Sequence, residues 1–301
     1  MKVFVTGASG FIGSAVIKEL VGAGHEVLGM VRSDEGAAIV EKLGAKAHRT
    51  TLDNLEGLQA GARQCDAVIH CAFNHDFSKF AANCAEDRAA ILALGEAMVG
   101  KDGALIVTSG TGFPLDGRPR TEEDPANPIT AQYPRASEEA AGLVAEKHGI
   151  RTIVLRLPQV HDREKYGLVS YSIDLAKAKG LVAYIGDGEN RWPAVARDDA
   201  ARLYLLALEK GLAGARYNAV AEEGVSAKEI SESIGRGLNL PVKSIAAEDA
   251  PEYFGWMAMF AALHMPASSA LTQKRLGWHP TGPSMIDDLD HSKLFAAAVK
   301  S

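Results

Sequence analysis

Short apolar runs alternate with amphipathic stretches along the first half of the chain. The runs are rich in β-branched residues and predict strands at 2–5, 26–31, 45–49, 67–71, 104–108 and 152–157. The stretches between them carry apolar residues at helical spacing and predict helices at 11–21, 55–64, 83–99 and 135–148. The strand runs are continuous rather than alternating in polarity, so helices should cover both sheet faces. The pattern predicts an α/β fold with a doubly wound parallel sheet.

This regular alternation weakens after about residue 160. The later segments predict helices at 168–179, 198–209, 227–238, 252–263 and 268–276. Ser226 and Glu229 stand at capping-box spacing before the third of these helices. We therefore expect a first domain over residues 1–160, with further strands from about 183–220, and a smaller C-terminal α/β lobe over 161–301.

Composition narrows the possible partners. The 301 residues include 32 basic and 38 acidic side chains, mixed along the chain, for a net charge of −6. No block of like charge could neutralise nucleic-acid phosphates or an anionic membrane, so neither is an expected partner. No apolar run reaches the ~18 residues of a membrane span. The odd number of cysteines (Cys65, Cys71 and Cys84), without metal-ligand spacing, argues against disulfides or a structural metal and favours the cytoplasm.

The first predicted strand leads into a glycine-rich loop. Gly7 permits a tight turn, Gly10 lets a diphosphate approach the backbone, and Gly13 lets the next helix pack closely on the strand. The helix start adds unpaired N–H groups and partial positive charge. A purely structural turn is the alternative, but the strand before and the helix after favour dinucleotide binding. The predicted phosphate-binding residues are Gly7, Ala8, Ser9, Gly10, Phe11, Ile12 and Gly13.

Further motifs follow this loop in a familiar order. They are Asp53, residues 66–72, Thr108-Ser109, and residues 156–158, 186–188, 198–200 and 276–278. With the glycine loop, they make the chain resemble the extended short-chain dehydrogenases, the superfamily that includes NAD-dependent epimerases and dehydratases. The resemblance covers most of the chain. It implies a Rossmann fold for residues 1–160 and a substrate-binding role for the C-terminal lobe.

The resemblance also implies cofactor contacts after three of the predicted strands. They fall at the adenine, beside the nicotinamide ribose and by the carboxamide. Asp53 and Asn54 would contact the adenine. Cys71, Ala72 and Phe73 would lie beside the nicotinamide ribose, and Pro158 and Val160 would lie by the carboxamide. Many relatives pair through the helices that correspond to 83–99 and 135–148, so a homodimer is implied as well.

The end of the second predicted strand bears on the choice of nicotinamide cofactor. NAD-preferring relatives place a carboxylate there, whereas this chain has Arg32 and Ser33. A guanidinium and a hydroxyl suit the 2′-phosphate of NADP(H), which is therefore favoured over NAD. The alternative is that Arg32 is a solvated surface residue neutralised by Asp34 and Glu35.

The catalytic stretch departs from the family pattern. Typical members have a tyrosine with a lysine four residues later, whose charge lowers the phenol pKa. The fourth residue after Tyr133 is Ser137, and aligning Ser137 with the usual Ser-Lys pair places Glu138 where the lysine belongs. On a regular helix Arg135, two residues after Tyr133, would point away from the phenol. If Pro134 is instead the first helical residue, Tyr133 lies in the loop before the helix, and the two side chains could meet. Tyr133, aided by Arg135, is either the proton donor or structural.

Other side chains near the strand ends are candidates for polarising a carbonyl or moving a proton. Ser109 and Thr111 flank the position that the family fills with serine or threonine, although such hydroxyls often bond to local backbone. His75 titrates near neutrality, with a surface histidine beside Asp76 as the alternative. His161 and Lys165 invite the same two interpretations, and His70 is expected to be structural. Gly112-Phe113 stands where dehydratases carry an Asp-Glu pair, so dehydration is disfavoured.

Two segments of the second half bear on the substrate. Arg191 could bind a substrate phosphate or pair with Asp187 or Glu189 on the surface. Residues 253–260 are rich in aromatic and sulfur side chains, which predicts a buried helix. If part of this segment faces the cleft, the pocket suits an aromatic or aliphatic carbonyl compound better than a nucleotide sugar.

Together these features predict an NADP(H)-dependent oxidoreductase. It would transfer a hydride between the nicotinamide and a carbonyl or alcohol carbon of a small molecule. One alternative is a sensor or scaffold that binds NADP(H) without catalysis, since the Tyr/Lys pair is missing. Another is an epimerase that forms a transient keto intermediate.

Overall fold

The computed structural model describes residues 1–113 and 117–295. Its strands are β1 (Lys2–Thr6), β2 (Glu26–Val31), β3 (Lys46–Arg49), β4 (Ala67–His70), β5 (Ala104–Gly110), β6 (Arg151–Leu157), β7 (Gln159–His161), β8 (Val182–Ile185), β9 (Arg191–Ala196), β10 (Arg216–Asn218), β11 (Glu222–Ser226) and β12 (Val242–Ile245). Seven of them form one sheet in the order β10-β6-β5-β4-β1-β2-β3. Every neighbouring pair in this sheet is parallel.

Helices cover both faces of the seven-stranded sheet. The helices of the described residues are α1 (Phe11–Gly22), α2 (Asp34–Lys42), α3 (Leu55–Arg63), α4 (Phe80–Ala97), α5 (Ser137–His148), α6 (Val169–Lys179), α7 (Arg197–Lys210), α8 (Ala227–Leu238), α9 (Ala250–Phe254), α10 (Ala258–Ala261), α11 (Ala270–Leu276) and α12 (Met285–Asp290). Val5 of β1 packs with Val16 of α1 on one face, and Phe4 packs in the cluster that contains Ile91 of α4 on the other. The predicted doubly wound α/β fold is confirmed.

The sequence pattern does not predict α2 or α12, and residues 252–263 do not form the single helix that it predicts. The prediction missed α2, which buries only Gly36, Ala37 and Val40 and therefore lacks a continuous apolar stripe. The single helix predicted at 252–263 is instead α9, a 3₁₀ turn at Gly255–Met257 and α10. Gly255 has a φ of 56°, which interrupts the helix.

The C-terminal half builds a second apolar core beside the main sheet. Strands β11, β9 and β7 form one small sheet, and β12 pairs with β8 in another. The capping box of Ser226 and Glu229 at the start of α8 is confirmed. Strand β10 lies within this half of the sequence yet pairs with β6 at the border of the main sheet. Among the described residues, no helix is long and apolar enough to cross a bilayer.

Candidate active site

The glycine loop between β1 and α1 is packed too tightly for side chains at two positions. Gly7 has a φ of 63°, and a Cβ atom there would lie 2.9 Å from the Ala72 nitrogen. A Cβ atom on Gly13 would lie 2.1 Å from the Gly7 carbonyl oxygen. Gly10 is the N-cap of α1 and has no side chain to cap the first helical N–H groups. These bare amides fit an anionic diphosphate group.

Two cations from the other half of the chain lie over this loop. The Lys165 Nζ atom is 5.6 Å and the Arg197 Cζ atom 5.1 Å from the ring centroid of Phe11. Asp162 holds the Arg197 guanidinium through a 3.1 Å ion pair. The loop therefore carries positive charge from side chains as well as from the start of α1. Arg197 was not among the predicted site residues, and no sequence signal links it to the loop.

At the end of β2, Arg32 is exposed and has no hydrogen bond or ion pair to any residue of 1–113 or 117–295. Asp34, one of its two expected neutralising neighbours, pairs with Arg49 instead. The Ser33 hydroxyl accepts a 3.2 Å hydrogen bond from the Gly36 N–H as the N-cap of α2. The same hydroxyl lowers the pKa of the exposed Glu35 carboxyl. The Arg32 guanidinium is thus available to a ligand.

The expected adenine contacts stand at the start of α3. The Asn54 side chain accepts a 3.0 Å hydrogen bond from the Gly57 N–H and caps the helix. This capping role was not predicted, and it engages the side-chain oxygen of Asn54 within the protein. Asp53 is exposed, and a hydrogen bond from Thr51 lowers the pKa of its carboxyl. Asp53 therefore offers a charged acceptor at the surface.

The expected nicotinamide contacts differ in how accessible they are. Burial raises the pKa of the Cys71 thiol to about 12, although hydrogen bonds with Thr108 and Tyr204 oppose the shift. The Cys71 thiol is therefore protonated at neutral pH and chemically unreactive. The Val160 side chain is buried in the core cluster of the main sheet, so only its backbone could meet a ligand. Pro158 is partly exposed between β6 and β7.

A buried polar network begins at the end of β1. The Thr6 hydroxyl and His70 Nδ1 are 2.8 Å apart, and the same hydroxyl accepts a hydrogen bond from the Ala72 N–H. The other ring nitrogen of His70, Nε2, is 3.2 Å from Asp87 Oδ1 in α4. All three polar side chains are buried. Burial alone would raise the pKa of Asp87, but the hydrogen bond and charge of His70, with help from Arg135, hold it below its usual range.

The network continues from Asp87 to the loop before α5. The Ser137 hydroxyl donates a 2.6 Å hydrogen bond to Asp87 Oδ2 and accepts one of 3.1 Å from Arg135 Nε. A terminal nitrogen of Arg135 donates to the Thr108 carbonyl at the end of β5, at 3.2 Å. The guanidinium also lies 4.6 Å from the ring centroid of Phe73. Arg135 is therefore held at the carboxyl end of the sheet by Ser137, which is itself held by the buried carboxylate of Asp87.

One sequence signal could have revealed this network. Asp87 precedes Ile91 and Leu94 by four and seven residues, which places a carboxylate on the apolar stripe of the predicted helix. A carboxylate in the core requires a partner. The identity of that partner depends on long-range contacts that the sequence does not specify.

Tyr133 lies outside the helix that follows it. The alternative in which Pro134 is the first helical residue is not observed, because α5 begins at Ser137 with Ala136 as its N-cap, but Tyr133 does lie in the loop before the helix. Hydrogen bonds between Thr130 and Tyr133 form a turn instead. The Tyr133 ring packs edge-on against Phe113, with centroids 4.8 Å apart. Burial raises the pKa of Tyr133 by more than the charge of Arg135 lowers it, so the phenol stays protonated.

Two of the hydroxyl groups at the end of β5 belong to Ser109 and Thr111. Ser109 and Thr111 are buried residues, and neither hydroxyl has a hydrogen-bond partner in the described part of the chain. The alternative that they satisfy local backbone groups is therefore not observed. Each hydroxyl can donate to a ligand.

His75 lies beside the same site. Its ring contacts Phe73 edge-on at 5.4 Å, while the expected surface partner Asp76 bonds to Ser78 instead. Loss of solvent around the ring lowers the pKa of His75, and the charges of Arg135 and Lys165 lower it further. The imidazole is therefore neutral at pH 7 and can accept a proton.

Three other side chains considered from the sequence form ion pairs or hydrogen bonds with other residues of the chain. His161 is buried and pairs with Asp288 at 2.8 Å, which makes it structural. Glu138 forms ion pairs with Arg156 and Arg216, so the residue aligned with the usual lysine joins α5 to β6 and β10. Arg191 pairs with Glu189, as its surface alternative predicted. Among the described residues, no group of three or more His, Cys, Asp or Glu side chains is placed to bind a metal.

Comparison with known proteins identifies the family. Residues 3–219 match the NAD dependent epimerase/dehydratase family. An uncharacterised Schizosaccharomyces pombe protein is 46% identical over 299 residues, which are 98% of this chain and 100% of the relative. A Stigmatella aurantiaca protein named 4-hydroxy-2-methyl-3-oxo-4-farnesyl-3,4-dihydroquinoline-1-oxide ketoreductase is 28% identical over 228 residues, 72% of this chain and 67% of the relative.

A solved structure shows the same fold across the whole chain. The dTDP-glucose 4,6-dehydratase DesIV of Streptomyces venezuelae, solved with bound NAD, superimposes with a TM-score of 0.79 at 20% identity. The match covers 100% of this chain and 98% of that one. With the family match over residues 3–219, it confirms the resemblance to extended short-chain dehydrogenases. The chain belongs to the NAD dependent epimerase/dehydratase family.

Proposed function

We propose that the protein is an NADP(H)-dependent oxidoreductase that reduces a carbonyl group of a small molecule. The observation that carries this proposal is the position of Arg135, whose guanidinium donates to the Thr108 carbonyl at the carboxyl end of β5, the strand end that also carries the Ser109 and Thr111 hydroxyls. Ligands of open parallel sheets bind at this end of the strands. A named ketoreductase among the relatives supports reduction over other reactions of the family.

The cofactor would be held by backbone and charged side chains of this chain. The amides at the start of α1 would bind the diphosphate, with Lys165 and Arg197 adding positive charge. The exposed Arg32, unpaired within residues 1–113 and 117–295, favours a 2′-phosphate and hence NADP(H). When bound, the nicotinamide supplies the hydride.

The site residues would stabilise the charge that develops during reduction. As a hydride reaches the carbonyl carbon, negative charge grows on the oxygen, where the Arg135 guanidinium and the hydroxyls of Ser109 and Thr111 can stabilise it. The protonated phenol of Tyr133 then donates its proton to that oxygen, and solvent replaces it. Because the raised pKa of Tyr133 leaves little phenolate at neutral pH to accept the proton of an alcohol, this assignment favours reduction over oxidation of an alcohol.

The direct test follows NADPH oxidation with a panel of aldehydes and ketones. Arg135→Met should lower kcat/KM about 100-fold, the usual cost of removing a charged oxyanion donor. Tyr133→Phe and Ser109→Ala should each lower kcat. The matched control is Arg88→Met, which removes a cation that pairs with Glu139 on the surface of α4 and α5. Unchanged turnover in Arg135→Met would refute the assignment.

The missing Tyr/Lys pair and the raised pKa of Tyr133 favour a second candidate, a non-catalytic NADP(H) sensor or scaffold. Such a protein would bind NADPH, oxidise none with any carbonyl compound, and change its oligomeric state or partners on binding. An epimerase would instead keep the cofactor through purification and invert a stereocentre without net consumption of NADPH.

A further inference from the structure

Aromatic rings from three separate segments meet next to His75. Phe77 follows β4, Tyr171 belongs to α6, and Trp256 and Phe260 follow the break at Gly255. Phe77 and Trp256 stack with centroids 5.0 Å apart and planes 13° apart. Tyr171 and Phe260 contact both of these rings edge-on. We call these four residues the aromatic cluster.

Two residues of the aromatic cluster, Trp256 and Tyr171, are exposed, and Phe77 and Phe260 are half-buried. The exposed fractions are 48% for Trp256 and 37% for Tyr171. This contradicts the buried helix predicted for residues 253–260, because the break at Gly255 leaves Trp256 at the surface. An exposed group of large apolar side chains is the usual sign of a binding surface.

This surface is continuous with the candidate active site. The His75 ring is 6.1 Å from Phe77 and 5.4 Å from Phe73, and Phe73 lies under the Arg135 guanidinium. A line of rings therefore leads from the cation assigned to the carbonyl oxygen out to Trp256. A ligand whose carbonyl meets Arg135 would have its remaining atoms against this line.

We propose that the substrate is a planar aromatic ketone or aldehyde, bound by ring contacts with the aromatic cluster. This inference rests on the proposed function, since it places the reactive carbonyl beside Arg135. Flat ring faces and edges attract another aromatic ring more than a saturated one of the same size. A nucleotide sugar is disfavoured because Arg191, the cation considered for its diphosphate, pairs with Glu189 and the Gly224 carbonyl.

The first experiment measures binding without turnover. Of the three tryptophans, Trp192 and Trp278 are buried, so quenching of exposed tryptophan fluorescence reports Trp256. Acetophenone and cyclohexyl methyl ketone share one skeleton, aromatic in the first and saturated in the second. Titrated into the protein with NADP⁺ present, acetophenone should quench saturably and bind about 5-fold more tightly than its saturated analogue. Equal affinities would overturn the inference.

The second experiment tests the contribution of Trp256 to substrate binding. Trp256→Ala should raise the KM for acetophenone about 5-fold and leave that for cyclohexyl methyl ketone nearly unchanged, while Trp256→Phe restores the preference. The dissociation constant of NADPH should not change. Leu212→Ala, at an exposed apolar residue outside the cluster, is the control. An equal rise in KM for both ketones would also overturn the inference.

The two proposals fail in different ways. Saturable quenching by acetophenone without reduction of any carbonyl compound would refute the oxidoreductase and leave the aromatic site standing. Reduction of both ketones with equal KM and no effect of Trp256→Ala would leave the oxidoreductase standing and refute the aromatic site.

Discussion

Single residues in the glycine loop show how closely backbone segments approach one another. Gly13 lies at the start of α1, against the Gly7 carbonyl, whereas Gly22 at the end of the same helix has open space around its Cα atom. Adding one methyl group should therefore lower the stability of the protein at Gly13 but not at Gly22. Sequence alone predicted the crowding at Gly13, because the spacing of the loop glycines carries that information.

We expect Gly13→Ala to destabilise the protein by about 1–3 kcal/mol, the usual cost of overpacking, and to abolish nucleotide binding. Gly22→Ala should instead stabilise it by up to ~1 kcal/mol by restricting the unfolded chain. Urea unfolding and calorimetric titration with NADPH measure both effects. Equal stability of the two variants would contradict the observed packing.

Arg32 decides the choice of cofactor in our proposal. Arg32→Ala should weaken NADPH binding about 10-fold relative to NADH, since one charge-assisted hydrogen bond contributes about 1.5 kcal/mol or more. Arg63→Ala, which removes another exposed cation, should leave the ratio of the two dissociation constants unchanged. An unchanged ratio in Arg32→Ala would refute the 2′-phosphate assignment.

At the scale of elements, the polar network joins β1, β4, α4 and the loop before α5. It contains a carboxylate, Asp87, whose charge is balanced through hydrogen bonds rather than by solvent. The sequence predicted each of these elements but not the network. Helical spacing shows which residues share a face, whereas the pairing of Asp87 with His70 and Ser137 follows from the order of strands in the sheet.

Asp87→Asn should lower the free energy of unfolding by about 3 kcal/mol at pH 7, because it removes one partner of a buried charged network. The folded-state pKa of Asp87 is lowered, so its contribution is complete above the unfolded pKa of ~3.9 and is lost as the pH falls through the folded value. Urea unfolding should therefore show a constant difference at neutral pH that shrinks below about pH 4.

Glu164→Gln is the control for this measurement. Glu164 is exposed and pairs with Lys293 on the surface, so its removal should change stability little at any pH. If the difference between the native protein and Asp87→Asn grew as the pH fell, Asp87 would not be held as a carboxylate.

At the scale of the whole molecule, alternation of strands and helices was enough to predict the doubly wound sheet. It was not enough to predict the site. Arg135 reaches the sheet from a loop that the sequence assigned to a helix, and Arg197 reaches the glycine loop from the other half of the chain. The positions of such side chains depend on where loops end, which local periodicity does not encode.

The homodimer remains a prediction. It would form through α4 and α5, which pack together on one face of the sheet. Leu143 is an exposed apolar residue of α5. We expect light scattering at micromolar concentration to give the mass of two chains, and Leu143→Asp to give that of one. Leu212→Asp, an equivalent change at an exposed residue after α7, should not alter the mass. A monomeric native protein would refute the dimer.

The position of β10 has a consequence for synthesis and folding. Residues 216–218 pair with β6, although β7, β8 and β9 come between them in the chain. A nascent chain that ends before residue 216 leaves one side of β6 without a hydrogen-bonding neighbour, and unpaired strands of this kind invite aggregation. We therefore expect fragments truncated near residue 160 to be insoluble, and the seventh strand to be added only after β7, β8 and β9 have been synthesised.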